Sequence, residues 1–184
     1  MDPDIEALLR QFEDIRQDAE SLVAGQTPTQ LLWKPGTNRW SIAECFAHLV
    51  VVDGMDLPGL SSAIADARAR GVTGRGPFRY GLISGWFVNW MDAPVKRFKV
   101  GAPGPYVPPQ VKNPQETLNE FWKVQTEMRG LLCGADGLNL AHVKFRLPLL
   151  PWVKMTLGRT FQLIAAHDRR HLWQARQIRN AQTH

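Results

Sequence analysis

Residues 160–178 read TFQLIAAHDRRHLWQARQI. Thr160, Ile164, His167, His171, Gln174 and Ile178 follow one another at steps of three and four, the period of a single helix face. That stripe is mostly apolar, so it reads as the inner side of a closing helix from about Thr156 to Gln182. Asp168, Arg169, Arg170 and Arg176 fall largely on its other faces. His167 and His171 stand four positions apart, which sets their Cβ atoms about 5–6 Å from each other on one side of the helix. Two imidazoles so placed can chelate one divalent ion, and they can equally be a structural pair in a packed interior.

Working outward from that helix, three others appear. Ile5, Leu8, Leu9, Phe12, Ile15, Ala19 and Leu22 recur at helical spacing across Asp4 to Val23. A second helix starts at Ser41, because SIAE (41–44) has the form of a capping box in which hydroxyl and carboxylate each satisfy a free backbone N–H. Gly54 and Pro58 are expected to bend or interrupt it, with helical character resuming toward Gly71. A third opens on NPQE (113–116), where Asn113 can cap, Pro114 suits the first helical position and Glu116 favours the positive helix end. Its inner side is marked by Leu118, Phe121, Trp122, Gln125 and Met128, and it fades at Gly134. Four long helices joined by long crossover connections predict an all-α fold, a four-helix bundle, as one domain over residues 1–184.

Between the helices the chain is richer in glycine and proline. Thr27 with Pro28 can cap one short turn, and Trp33 and Trp40, flanking the loop that follows, are expected to pin it to the core. GLISGWFVNWM (81–91) reads as a short apolar helix, APGPYVPPQ (102–110) as irregular, and HVKFRL (142–147) as a short extended piece.

The composition suits this fold. Hydrophobic residues make up 44% of the 184 residues and charged ones 21%, which marks a folded globular chain. The net charge of +5 is spread out, with only small groups such as Lys96, Arg97 and Lys99. It reads as a solvated surface, with no nucleic acid expected as partner. Two cysteines, Cys45 and Cys133, make no disulfide framework. The first twenty residues lack the features of a signal peptide, and no stretch has the apolar length that spans a membrane. A cytoplasmic protein with reduced thiols and no membrane partner is the expectation.

His48 gives the closing pair its meaning. It lies in ECFAHL (44–49), a strongly apolar setting one turn into the second helix. Three histidines on the inner faces of two helices can meet around one ion, and three protein ligands leave a coordination position for water or substrate. His142, in a loop, and His184, at the end, are poorer candidates.

The segments LLWKPGTNRWSIAECFAHL (31–49) and HDRRHLWQARQIR (167–179), with NPQETLNEFW (113–122) between them, resemble the DinB-like superfamily of small four-helix bundles related to the YfiT group. The resemblance covers most of the chain, and the order and spacing of its pieces are more specific than any one of them. It implies that His48, His167 and His171 are metal ligands, with zinc or nickel as the usual divalent ion. Similar proteins include transferases and isomerases that use low-molecular-weight thiols, in which the metal is thought to lower the thiol's pKa. The resemblance therefore implies a small-molecule substrate, a metal-activated thiol (S-transferase-like) or water (hydrolase-like), and a homodimer. The alternative is a non-catalytic, metal-stabilised module for small-molecule binding or dimerisation. The family name refers to induction by DNA damage and says nothing of DNA binding.

Other residues near the three histidines keep two readings each. Cys45 could be a soft ligand or a small buried side chain. Glu44 could serve as a base, although its cap already explains it, and Gln174 could bond a ligand or simply pack. Asp53 and Asp56 could orient a histidine if they point inward. Arg169 and Arg170 could grip an anionic substrate or lie on the surface. Trp86, Phe87 and Trp90 could line a pocket mouth or belong to the core.

Overall fold

A computed structural model of the chain describes residues 1–94, 104–149 and 152–182. Lys96, Arg97, Lys99 and His184 lie outside the described residues. Four long helices form the frame: α1 (Pro3–Val23), α3 (Ile42–Ala69), α5 (Pro114–Gly134) and α6 (Leu157–Ala181). Between them stand the one-turn helix α2 (Pro28–Leu32), the short helix α4 (Leu82–Met91) and a 3-10 turn at Gly104–Tyr106. α3 packs on α5 and α6, α1 closes the ring against both of those, and α4 lies on α6.

The helix starts follow the capping chemistry in the sequence. Asp2 accepts a hydrogen bond from the Asp4 N–H ahead of Pro3. Ser41 and Glu44 make the reciprocal box at the head of α3, and Thr27 and Gln30 make another at α2. Asn113 accepts from the Glu116 N–H at the head of α5. The inner faces then meet as the periodicity requires. Ile5, Leu8, Phe12, Ile15, Ala19 and Leu22 of α1 are buried. Phe46 of α3 meets Phe121 of α5 edge to face at 4.9 Å, a geometry that adds about 0.5–1.5 kcal/mol to the burial of the rings.

Three local expectations are corrected. Gly54 and Pro58 do not interrupt α3, which runs unbroken for 28 residues. A proline inside a helix costs roughly 3 kcal/mol, and the packing of a helix this long against two neighbours offsets it. Trp33 does not pin its loop, being 37% exposed, whereas Trp40 packs inward against the core. Trp122 is only half-buried, and Val124 and Leu132 share the inner side of α5 instead.

The extended piece near residue 142 is the strand β1 (Lys144–Arg146), and it has a partner that the sequence reading did not anticipate. β2 (Lys154–Thr156) pairs with it antiparallel, placing Phe145 opposite Met155. Both of these side chains are buried. The Phe145 ring packs so closely on α3 at Gly59 that an added Cβ there would sit 2.8 Å from it. β2 runs directly into α6, with Thr156 as the N-cap residue. The hairpin thereby fixes the register of the helix that carries His167 and His171.

Candidate metal centre

His48 comes from the second turn of α3, and His167 and His171 from the middle of α6. The crossing of these two helices brings the three rings together. Their centroids lie 4.4 Å apart for His48 and His171, 4.6 Å for His167 and His171, and 5.2 Å for His48 and His167. One ring nitrogen from each lies within 4.8 Å of the other two. His48 and His171 are 4% and 8% exposed, while His167 keeps more contact with the surface. Trp40 covers the group, stacking on His171 at 5.7 Å and tilting over His48 at 5.0 Å.

The tautomer of His48 follows from its partner. Its Nδ1 lies 2.6 Å from the Tyr106 backbone carbonyl. A carbonyl can only accept, so Nδ1 carries the proton and Nε2 presents a lone pair. That Nε2 lies 3.3 Å from Nε2 of His167. Two nitrogens bound to one tetrahedral zinc at 2.0–2.1 Å would stand about 3.3–3.4 Å apart. The Nδ1 atoms of His167 and His171 are buried with no hydrogen-bond partner. Burial holds all three imidazoles below their ordinary pKa. His167 is pushed down to about 3 by burial, then by His48 and Arg170. His171 is lowered by burial, then by the neighbouring imidazoles and Arg170. Three neutral, converging, under-bonded imidazoles make a donor set that a divalent ion fits.

Behind the histidines lies a set of buried acids. Asp53 and Asp168 are both 0% exposed. Asp168 lies off the histidine stripe, on a face of α6 that is buried as well. Gln125 of α5 donates from Nε2 to Asp168 Oδ2 at 3.0 Å and to Asp53 Oδ2 at 3.5 Å. Carboxylate oxygens of the two acids and a nitrogen of His167 lie within 4.8 Å of one another. Burial, then the Asp168 charge, raises Asp53 well above the usual carboxyl range. Asp168 is pushed up to about 7, chiefly by burial. Asp56 is likewise pushed up to about 7 by burial and then by Asp168.

The remaining candidates take ordinary places. Cys45 is buried, with its thiol pKa raised by burial first and then by Glu44, and it is not among the side chains that converge with the three histidines. Glu44 serves its cap and an ion pair with Lys34. Arg169 is spent inside the fold, paired with Asp92 at 2.6 Å and bonded to Gln11. The Arg170 guanidinium stands 5.8 Å from the Trp90 ring centre. Trp90 stacks with Phe87, which packs on the core, and Trp86 is exposed. Gln174 is half-buried and His142 is exposed. A cleft of about 240 Å³ lies between α1 and α5, lined by Phe12, Arg16, Trp122, Gln125 and Arg129 among others. The histidines stand on the other two helices, so the chemistry of their side chains identifies this site and the size of a cavity does not.

No described helix is long and apolar enough to cross a membrane. A family model described as the DinB superfamily matches residues 11–175, a span that contains all three histidines and all four long helices in large part. No curated protein and no solved structure matches the chain.

Proposed function

Because this chain belongs to the DinB superfamily, we propose that His48, His167 and His171 hold a divalent ion, zinc or nickel, and that the protein is a metal-dependent enzyme acting on a small molecule. Its reaction is the attack of a low-molecular-weight thiol on an electrophile, S-transferase-like, or of water on a hydrolysable bond. The observation that carries this reading is the approach of two imidazole Nε2 atoms to 3.3 Å, one of them fixed as a lone-pair donor by the Tyr106 carbonyl. A divalent ion supplies Lewis acidity there, which lowers the pKa of a thiol or water bound to it.

The chain's own residues do the rest. The Tyr106 carbonyl keeps the ring of His48 from turning. Burial keeps the three rings neutral at physiological pH, so no proton has to leave before they coordinate. Trp40 lies against His171 and His48 and shields them from water, and a drier site strengthens every charge interaction within it. The partial exposure of His167 leaves that side as the approach for a ligand.

The test is elemental analysis of protein purified without added metal or an affinity tag. One divalent ion per chain is expected, lost in His167→Ala and in His171→Ala. Unchanged metal content in the His171→Ala protein would overturn the assignment. A metal-loaded chain that turns over no thiol–electrophile pair and no hydrolysable substrate would instead be the metal-stabilised binding module.

A further inference from the structure

His167 has two ring nitrogens, and the metal reading uses one. Nε2 faces His48. Nδ1 is buried without a hydrogen-bond partner. The nearby buried acids are also under-bonded, since Asp53 Oδ1 and Asp168 Oδ1 are buried with no partner beyond the contact between the two acids themselves. A nitrogen of His167 and an oxygen from each acid lie within 4.8 Å. Gln125 holds the other oxygen, Oδ2, of each acid through its amide N–H groups. His167 and the two acids, each with a buried polar atom lacking a hydrogen-bond partner, thus stand within reach of one another. An imidazole that coordinates through Nε2 keeps its proton on Nδ1, and such a ring is commonly held by a carboxylate or carbonyl behind it. His48 already shows this arrangement, with the Tyr106 carbonyl on its Nδ1.

We infer that Asp53 and Asp168, bracketed by Gln125, are positioning residues that accept a hydrogen bond from the Nδ1–H of His167 and aim its Nε2 at the ion. This rests on the reading of the three histidines as metal ligands. Gln125 turns donors and not its oxygen toward the acids, which suits oxygens held by hydrogen bonds and argues against a second ion between them.

The experiment titrates metal-free protein with zinc, measuring affinity by competition with a chromophoric chelator and following the imidazole protons by NMR. The wild type is expected to bind one zinc per chain and to show a slowly exchanging proton on Nδ1 of His167. Asp53→Asn and Asp168→Asn, and more so the double variant, are expected to weaken zinc binding about 10–100-fold at unchanged stoichiometry. A role in folding alone would lower the melting temperature and leave affinity and the Nδ1 proton as they are. Folded variants with wild-type zinc affinity would overturn the inference. So would a wild type that binds two zinc ions and loses one in the variants, since the acids would then be a cation site themselves. Should the variants not fold, the wild-type spectrum decides, because a zinc-loaded His167 without a proton on Nδ1 excludes the arrangement. One zinc that is lost in His171→Ala but indifferent to both aspartates leaves the proposed function standing and removes only this step. No zinc bound by the wild type removes both.

Discussion

Cys45 lies one turn before His48, on the buried side of α3, while Cys133 is exposed near the end of α5. A thiol reacts through its thiolate, and transfer of a negative charge into an apolar interior is costly. Burial and the neighbouring Glu44 carboxylate both raise the pKa of Cys45. One thiol per chain should therefore react with a disulfide reagent in the native protein, and two after denaturation. Prompt reaction of both in the native state would mean that the head of α3 opens, and with it the floor of the histidine cluster. At this same scale the sequence was legible for the histidines and not for their partners. His48 stood out by its apolar neighbours, and His167 and His171 by their spacing. Asp168 follows His167 and so falls off the histidine stripe. Yet Phe161, Ala165, Leu172 and Ala175 stand seven and three or four and seven positions from it, and all are buried. That row is as apolar as the histidine stripe beside it. Asp53 and Gln125 have the same signature, falling in line with Phe46, Leu49 and Leu60 and with Leu118, Phe121, Met128 and Leu132. A polar residue in an otherwise buried row is the signal that was available. What no row can give is that the three meet, since they come from three helices.

Among the elements, the helix starts were legible because a cap is a local device. Ser41 Oγ accepts from the Glu44 N–H at 3.1 Å, and Glu44 Oε2 accepts from the Ser41 N–H at 2.8 Å, both inside the folded core. Lys34 bonds the other oxygen of Glu44, so the cap also ties the preceding loop to α3. Ser41→Ala should then cost about 1–2 kcal/mol, the upper part of the range for a lost cap, because the N–H it strands is buried. The measurement is the urea midpoint at unchanged slope. An effect within a few tenths of a kcal/mol would show that the loop, and not the cap, sets the start of the helix. The elements that were not legible owe their form to distant contacts. β2 has three residues and no pattern of its own, and it exists because Phe145 and Met155 share a buried place against α3 and α6. α3 continues through Pro58 for a similar reason. A helix of ordinary length would be expected to stop there, but this one is packed against two neighbouring helices along its length.

Taken whole, the bundle carries a polar seam through its centre, and the two kinds of group in it respond to acid in opposite directions. The buried imidazoles have lowered pKa values. Below their ordinary range near 6.5 the unfolded chain binds protons that the folded chain refuses, so this contribution is lost as pH falls. Asp56 has a raised pKa, up to about 7 from 3.8. Between those two values the folded chain holds a proton that the unfolded chain releases, so its contribution is full below about 4 and is lost as pH rises toward 7. The two slopes overlap from about pH 4 to 6.5 and partly cancel, so the stability curve of the wild type alone would disclose neither. Asp56→Asn separates them, since the amide cannot ionise and the imidazoles stay. Measured by urea unfolding of metal-free protein, the variant should gain on the wild type steadily from pH 4 to about 7. The gain should reach at most about 4 kcal/mol, the energy of roughly three pKa units, and then level off. A difference that does not change with pH would mean that Asp56 ionises freely in the folded chain and that water reaches the seam. The residual slope of the variant would then combine the histidines with Asp53 and Asp168, whose raised carboxyls act in the opposite direction, and added zinc should steepen the fall toward acid because protons and the ion compete for the same nitrogens.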